Sequence, residues 1–441
     1  MRTDILGNPA SCGAEALALV DDFVDGFLRY QPRAANVLRI AGPDAECLPN
    51  VLAGYLWMFL ERPEAPDRAR PFLQAAEARA GAANERERAH LAVLRAWIAG
   101  DIPRAAALAE AITRDWPRDL AALKIAQYHR LNMGDFPGIL RPALRLIPAN
   151  PGNPQLLAMA AFGHEQCHHL DAARSRAEAA LTIQPDEPWA QHALAHVCLT
   201  EGRVAEGLAL MERAAPGWKG LNSFMYTHNW WHLALFLISQ GRGAEALAHY
   251  DAHVWGVEPD YSQDQIGAVS LLARLEFAGV DPAGRWQALR PWLESREGDT
   301  TSAFLTLQYL YGLARAGSPA ADRLMEAIRR RAATAQPWEA EVWQDTALPA
   351  AEGVLAAARG AWAQAVRRLS AARATLWRIG GSHAQRDLFD QILLDAMIRD
   401  GRWAAAQQMI EERRRHDPHG VPLAAMRARV EAELGLAPAA G

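Results

Sequence analysis

The sequence predicts an all-α fold built from consecutive pairs of antiparallel helices. Half of its 441 residues are hydrophobic, and Ala and Leu, which favour helices, dominate among them. Runs of β-branched and aromatic residues, which mark strands, are scarce, and no segment is a convincing strand. A repeat of fixed length along most of the chain predicts that the helices are paired.

The repeat is visible as a turn motif in which a Gly or polar residue precedes a large apolar residue and then a small one. Its turn position recurs at even spacing at Gly100, Gly134, His168 and Gly202, and next, after a slightly longer interval, at Gly241. Later turns follow at wider and less even spacing, at Gly279, Gly317, Gly360 and Gly401. A helix–turn–helix unit of about 34 residues, which is the even spacing found here, is typical of the tetratricopeptide repeat.

Prolines and small residues support the same register. Pro117, Pro151 and Pro185 each lie midway between two successive turn positions, where a residue that cannot continue a helix would end one pair and begin the next. Ala173 and Ala246 fall where two helices approach closely. The prediction is a tetratricopeptide-type α-solenoid, which is a right-handed superhelix of antiparallel helix pairs.

The domain organisation follows from where the register holds. We predict a repeat superhelix over residues 86–435, preceded by a helical N-terminal cap over 1–85 and followed by a tail over 436–441. The cap segment is off register and contains a break rich in Pro, Glu and Arg at 61–66. A repeat array needs atypical end units because its terminal repeats would otherwise expose an apolar face.

Composition and charge exclude several classes of partner. A net charge of −5 and a pI near 6.3 predict no basic surface for nucleic acid or for an anionic membrane. No apolar run is long enough to span a bilayer, and the first residues lack a leader-like pattern, so we expect a cytoplasmic protein without a membrane partner. The four cysteines show no CxxC pairing and are expected to be reduced thiols. The chain is compatible with a homo-oligomer.

Two histidine pairs are the most distinctive residues of the predicted groove. In a solenoid of this type the first helix of each pair lines the concave surface, and residues four apart share one face of that helix. His192 and His196 form such a pair, and His228 and His232 form another on the next first helix. Two His one turn apart can ligate a single metal, to which Glu165 from the preceding pair would add a carboxylate. Mixed His and carboxylate ligation suits zinc, iron or manganese.

Other interpretations of these histidines stay open at this point. Repeat grooves also use Trp and His for ordinary packing or for peptide contacts. Adjacent helix axes lie about 8 to 10 Å apart, so side-chain rotamers decide whether the rings meet. Without a metal, a His cluster can act as acid and base or bind an anion. For an enzyme of either kind, the catalytic candidates are Glu165, His192 and His228.

Aromatic residues and one lysine extend the candidate ligand site along the inner face. The side chains with the phase of groove residues are Lys124, Tyr128, Phe162, Trp189 and Trp231. Trp230, next to Trp231, instead has the phase of a residue packed between two helices. Peptide grooves more often use dispersed Lys, Arg and Asn side chains as carboxylate clamps, and only Lys124 suggests one here.

A second segment of interest covers residues 379–387. Gly380 and Gly381 end one helix, and Ser382 together with Gln385 forms a capping-box pattern at the start of the next. Helix capping explains the Gly, Ser and Gln without a ligand. The remaining side chains of this segment are further candidates for ligand binding, namely His383, Arg386 and Asp387.

The chain resembles the tetratricopeptide repeat protein 38 family. The likeness spans most of the chain and is carried by WAQHALAHV at 189–197, HNWWHLALFLISQGR at 228–242 and IGGSHAQRDLFDQ at 379–391. It implies an all-helical repeat fold, and it places the family's His pattern on His192, His196, His228 and His232 and its acidic position on Glu165. Its Gly-Gly-Ser motif falls on residues 380–382. The resemblance implies no reaction.

Three functions fit this pattern. The first is a site on the concave surface that binds a small molecule through a zinc, iron or manganese ion held by these histidines. Such a site is suited to metal-assisted catalysis. The second is a non-catalytic scaffold that binds a peptide or partner protein in the groove. The third is a metal-free enzyme that uses the same histidines as acid and base. We favour the small-molecule site over a peptide groove because the His and Trp residues concentrate on three consecutive helices. No phosphate-cradling Gly loop, GxSxG motif or zinc-type Cys spacing is present, so the case for an enzyme rests on these histidines.

Overall fold

The computed structural model describes residues 2–436 of the chain. It begins with two short strands, β1 (Arg2–Thr3) and β2 (Pro9–Ala10). The helices of the first half are α1 (Ala14–Leu28), α2 (Cys47–Met58), α3 (Ala65–Ala78), α4 (Glu85–Ile98), α5 (Ile102–Asp115), α6 (Leu120–Asn132), α7 (Phe136–Leu146), α8 (Pro154–Gln166), α9 (Leu170–Ile183) and α10 (Pro188–Thr200).

The helices continue without a sheet to the end of the described chain. They are α11 (Val204–Ala214), α12 (Ser223–Ser239), α13 (Gly243–His249), α14 (Ser262–Phe277), α15 (Arg285–Glu294), α16 (Ala303–Arg315), α17 (Ala320–Thr334), α18 (Leu348–Ala358), α19 (Trp362–Arg373), α20 (His383–Arg399), α21 (Trp403–Arg413) and α22 (Val421–Glu433). Short 3₁₀ segments cover Pro32–Arg39, Ile147–Ala149, Ala215–Gly220 and Leu376–Ile379, and π-helical segments cover Tyr250–Val254 and Val342–Ala347. The predicted all-α fold class is confirmed.

The turns between the two helices of each pair have the backbone that their sequence requires. All nine predicted turn positions adopt positive φ, from 58° at His168 to 83° at Gly279. This left-handed conformation satisfies the last carbonyl groups of a helix and is readily adopted by Gly. His168 adopts it despite its side chain. The chain is therefore built from helix pairs of the tetratricopeptide type.

Side-chain caps define the starts of several helices. Asp101, Asp119, Asp135 and Asn153 precede α5, α6, α7 and α8, and each accepts a hydrogen bond from a backbone N–H of the first turn. Such a cap satisfies one of the donors that a helix leaves unpaired at its N-terminus. The helices thus begin at defined residues, which fixes the faces that their side chains share.

The strand pair at the N-terminus is the element that the sequence did not predict. β1 and β2 pair antiparallel, with Arg2 opposite Ala10 and Thr3 opposite Pro9. Each strand has two residues, which is too short for the alternation of apolar and polar residues that reveals a strand.

The chain divides into two compact units, which we describe separately. The first comprises the chain up to Leu194 together with Gly217–Met225, and the second comprises Ala195–Pro216 together with the chain from Tyr226 onward. Helices α10 and α12 contribute residues to both units. The predicted limits of the cap and the repeat region stay predictions, and residues 437–441 of the predicted tail lie outside the described residues. Within residues 2–436, no helix combines the length and apolar composition that crossing a membrane requires.

Small residues set the close approach of helices in the second unit. Gly207 of α11 is buried, and a Cβ atom there would lie 2.3 Å from Cζ of Phe236 and 2.9 Å from Cβ of Cys198. Gly267 of α14 differs, because a Cβ added to it would meet no atom within 4 Å. The two glycines therefore separate the effect of packing from the effect of helix propensity.

We expect Gly207→Ala to lower the free energy of unfolding by about 1 to 3 kcal/mol, because the added methyl group overpacks the contact with Phe236. Gly267→Ala is the matched control and should raise it by about 0.5 to 1 kcal/mol, since Ala loses less backbone entropy than Gly in a helix. Urea unfolding followed by circular dichroism measures both. Equal effects of the two substitutions would contradict the packing argument.

A buried ion network holds the N-terminal segment of the first unit. Arg86 of α4 donates from Nε to Oδ2 of Asp119 over 2.6 Å, and its Nη2 lies 2.9 Å from Oδ2 of Asp4. Nε2 of His90 lies 2.7 Å from the same oxygen of Asp119. Burial alone would raise the pKa of Asp119, but the charge of Arg86 holds that pKa well below its usual range. Asp119 is therefore ionised and linked to a cation.

Asp119→Asn should lower the free energy of unfolding by about 3 to 5 kcal/mol, because it removes one partner of a buried ion pair. Asn preserves the N-cap, so the capping hydrogen bond is not the cause. The control is Asp101→Asn at the exposed N-cap of α5, for which we expect a change below about 0.5 kcal/mol. A loss of similar size in both variants, measured by urea unfolding, would show that the network contributes nothing.

Candidate metal centre and ligand site

Three histidines of the second unit lie together. His196 comes from α10, and His228 and His232 come from α12, one helical turn apart. The ring centres of His196 and His232 are 4.6 Å apart, and those of His228 and His232 are 4.8 Å apart. One nitrogen of each ring lies within 4.8 Å of a nitrogen of the other two. We refer to His196, His228 and His232 as the His cluster.

The surroundings of the His cluster favour a neutral imidazole at His228. His196 and His232 are fully buried. Burial and, to a smaller extent, the neighbouring His196 lower the pKa of His228 to about 3. A neutral imidazole keeps one nitrogen lone pair for a metal, whereas the protonated form has none. His228 therefore has the protonation state that metal binding needs at neutral pH.

The start of α20 places another histidine against the cluster. Ser382 accepts a hydrogen bond from the backbone N–H of Gln385, and Oε1 of Gln385 accepts one from the N–H of Ser382 over 3.1 Å, so the predicted capping box is present. His383 follows directly, and its ring centre lies 5.4 Å from that of His196, nearly edge-on. A nitrogen of His383 lies within 4.8 Å of a nitrogen of His196. This cap is what positions His383.

Trp231 and Arg274 adjoin the cluster. The indole of Trp231 stacks on His228, with ring centres 5.3 Å apart and planes 9° apart. The guanidinium carbon of Arg274, on α14, lies 5.2 Å from the centre of the Trp231 ring. Nη2 of Arg274 donates to the carbonyl oxygen of Ala384 over 2.8 Å. Sequence reasoning did not single out Arg274, although a charged residue inside the apolar run SLLARL at 270–275 was a signal that could have identified it.

The other polar side chains of the 379–387 segment already have partners within the chain. Asp387 accepts two hydrogen bonds from Arg413, one of them 3.1 Å long, and one of 2.7 Å from Gln391. Burial alone would raise the pKa of Asp387, but the charge of Arg413 holds it well below the usual range. Arg386 donates to the carbonyl oxygens of Gly380 and Gly381. Sequence reasoning missed Arg413 as the partner of Asp387.

Two predicted site residues, His192 and Glu165, belong to the first unit. His192 lies four residues before His196 on α10, so the two share a face of that helix. The ring of His192 stacks on Trp189, with centres 4.3 Å apart, and lies 5.5 Å from Phe162. Glu165 is fully buried and accepts a hydrogen bond of 2.6 Å from Gln166.

The remaining predicted ligand contacts of the first unit are held by aromatic rings and backbone. Nζ of Lys124 donates to the carbonyl oxygen of Phe27 and lies 3.2 Å from the centre of the Tyr30 ring. Burial lowers the pKa of Lys124 well below its usual value. Tyr128 donates its hydroxyl hydrogen to Oε1 of Glu61 over 2.8 Å. Lys124 thus contacts a carbonyl group and an aromatic face in this structure.

Helix α13 and the π-helical segment that follows it carry a further pair of histidines, His249 and His253. The ring of Trp230 stacks on His253 with centres 3.9 Å apart and lies 4.8 Å from His249. The hydroxyl oxygen of Tyr226 is 2.8 Å from Nδ1 of His253. Trp230 therefore packs between two elements, as its phase predicts, while Trp231 beside it contacts the His cluster.

Comparison with known proteins adds little beyond the geometry. No protein-family model matches the chain. The human IFIT1 dimer with m7Gppp-AAAA is 14% identical, with 94% of this chain and 95% of that chain covered and a TM-score of 0.44. A Rap protein complexed with competence and sporulation factor is 11% identical over 87% of this chain and 98% of its own, with a TM-score of 0.42. The APC/C hetero-tetramer Cut9–Hcn1 gives 12% identity, coverages of 96% and 92%, and a TM-score of 0.36. Likeness at these TM-scores carries no argument about function.

Proposed function

We propose that this chain is a helical-repeat protein that binds a small molecule through a divalent transition metal on His196, His228 and His232. The observation that carries the proposal is the convergence of three imidazole nitrogens within 4.8 Å of one another in the second unit. Three His ligands with a fourth position open to water or substrate are typical of catalytic zinc sites. Among zinc, iron and manganese, we propose zinc because it commonly binds three His side chains with one position left open.

The dimensions of the cluster suit a shared ion. Zinc binds His nitrogen at about 2.0 to 2.1 Å, so two ligands of a tetrahedral site lie roughly 3.4 Å apart. The nitrogens of the cluster are within 4.8 Å of one another, and small rotations of the rings bring them to that spacing. His383 contacts His196 and is a candidate for an additional ligand, and His192, one turn before His196 on the same helix, stays a predicted one.

Burial distinguishes this proposal from the two alternatives. A peptide-binding scaffold needs recognition residues that a partner can contact, whereas His196, His232 and Trp231 are almost entirely buried. A metal-free acid and base needs a pKa near the working pH, and the pKa of His228 is lowered to about 3. A bound metal would polarise a substrate or activate a water molecule in this setting, and a small molecule is the ligand that fits it.

We also propose a family and a cellular location for the protein. The segments at 189–197, 228–242 and 379–391 support membership of the tetratricopeptide repeat protein 38 family. A cytoplasmic location is supported by Cys12, Cys47, Cys167 and Cys198, all of which are free thiols and suit a reducing compartment.

Metal analysis of the purified protein tests the metal centre. After expression in zinc-supplemented medium and purification without chelators, we expect about one zinc per chain in the wild type and less than about 0.1 in the His196→Ala/His228→Ala double variant, because two of the three imidazoles of the His cluster are removed. The matched control is His249→Ala/His253→Ala, which removes the other histidine pair of this unit and should keep the metal.

The proposal fails if the wild type carries no stoichiometric metal under these conditions. It also fails if the double variant, shown by circular dichroism to be folded, keeps as much zinc as the control. Inductively coupled plasma mass spectrometry supplies the metal count.

A further inference from the structure

A buried arginine of the second unit forms no ion pair among the described residues. Arg274 is 3% exposed, and no carboxylate oxygen of the described residues lies within the 4.0 Å ion-pair distance of its guanidinium group. Its hydrogen bonds go to neutral acceptors, which are the carbonyl and hydroxyl oxygens of Ser270 and the carbonyl oxygens of Ala384 and Gln385. Burial lowers the pKa of Arg274 to about 10, so the side chain is still a cation at neutral pH.

Other buried arginines of the protein are paired with acids. Arg296 lies 3.3 Å from Asp299 in the second unit, and Arg86 lies between Asp4 and Asp119 in the first. Asp387 is the acid whose charge acts on Arg274, but both of its oxygens already accept hydrogen bonds from Arg413. A buried cation is strongly unfavourable unless an opposite charge compensates it. Arg274 is therefore a buried cation without an ion pair of its own, and the charge of Asp387 that acts on it is shared with Arg413.

The neighbour of Arg274 has a buried N–H group without an acceptor. Trp231 is 2% exposed, and its Nε1–H has no hydrogen-bond acceptor among residues 2–436. Buried donors of this kind are nearly always paired in folded proteins. The same indole ring contacts both Arg274 and His228. A cation without an ion pair and an N–H without an acceptor thus lie beside the His cluster.

We propose that Arg274 and Trp231 bind an anionic group, a carboxylate or a phosphate, of the same small molecule that the metal binds. The guanidinium group stays charged and attracts both kinds of anion, although its Nη atoms already donate to neutral oxygens. The indole N–H is a donor that such an anion can accept from. That the molecule has a metal-binding end depends on the proposed function, whereas its anionic end is inferred from Arg274 and Trp231. The ligand class is a small organic acid or phosphate ester with a second, metal-binding polar group.

Isothermal titration calorimetry with inorganic phosphate and, separately, acetate tests this site on the full-length zinc-loaded protein. We expect the better of the two anions to bind at least about tenfold more weakly to Arg274→Gln than to the wild type, since a charge-assisted hydrogen bond is lost. Trp231→Phe keeps the aromatic ring and removes only the N–H, and we expect it to weaken binding by about two- to tenfold.

The matched control is Arg399→Gln. Arg399 also lies over a tryptophan, with its guanidinium carbon 5.0 Å from the Trp362 ring centre, but it is exposed and paired with Asp395. Its loss should leave anion binding unchanged. If Arg274→Gln does not fold by circular dichroism, Trp231→Phe decides the question. The anion that binds more tightly identifies the ligand class as carboxylate or phosphate.

The inference is overturned if neither anion binds the wild type, or if Arg274→Gln and Trp231→Phe bind both as the wild type does. If the protein in that experiment carries stoichiometric zinc, either result leaves the proposed metal site unaffected. Conversely, if the wild type carries no zinc but binds an anion in a way that depends on Arg274, the anion site is supported and the metal proposal fails. The two proposals are thus tested separately.

Discussion

The left-handed turn residue at the end of each first helix is the constraint on which the rest of the structure depends. It stops one helix and starts its partner at a defined residue, so it determines which side chains of the pair face the same way. Eight of the nine turn positions meet this requirement with Gly, and His168 meets it at a φ of 58°. The positions of His228 and His232 on one face of α12 follow from this register.

This constraint also explains how much could be predicted from the sequence. A backbone that needs positive φ leaves Gly at regular intervals, and a helix leaves His228 and His232 four residues apart, so both features are local and visible. Arg274 and Ala384 are 110 residues apart in sequence, and Arg413 and Asp387 are 26 apart. Contacts of this kind leave no periodic trace, which is why neither arginine was identified beforehand.

Burial has different effects on two basic groups of the second unit. His228 is neutral, since burial lowers its pKa to about 3. Arginine cannot become neutral in this way, because even a lowered pKa of about 10 leaves Arg274 charged. The imidazole of His228 and the positive charge of Arg274 thus lie against the same indole ring, that of Trp231. That combination of groups suits a ligand with two different polar ends, one that binds a metal and one that carries a negative charge.

Several residues of the candidate site lie on helices that are longer than those of the evenly spaced pairs. The first helices α6, α8 and α10 each have 13 residues, and the pairs they belong to follow the even spacing of the turn positions. Helices α12, α14 and α20 have 17, 16 and 17 residues, which extends each of them by about one turn, or roughly 5 Å. His228, Arg274 and His383 all lie on these longer helices. The evenly spaced pairs with 13-residue first helices form the regular part of the array. The longer helices add about one turn each and carry residues of the candidate site, while the turn positions keep the same backbone conformation.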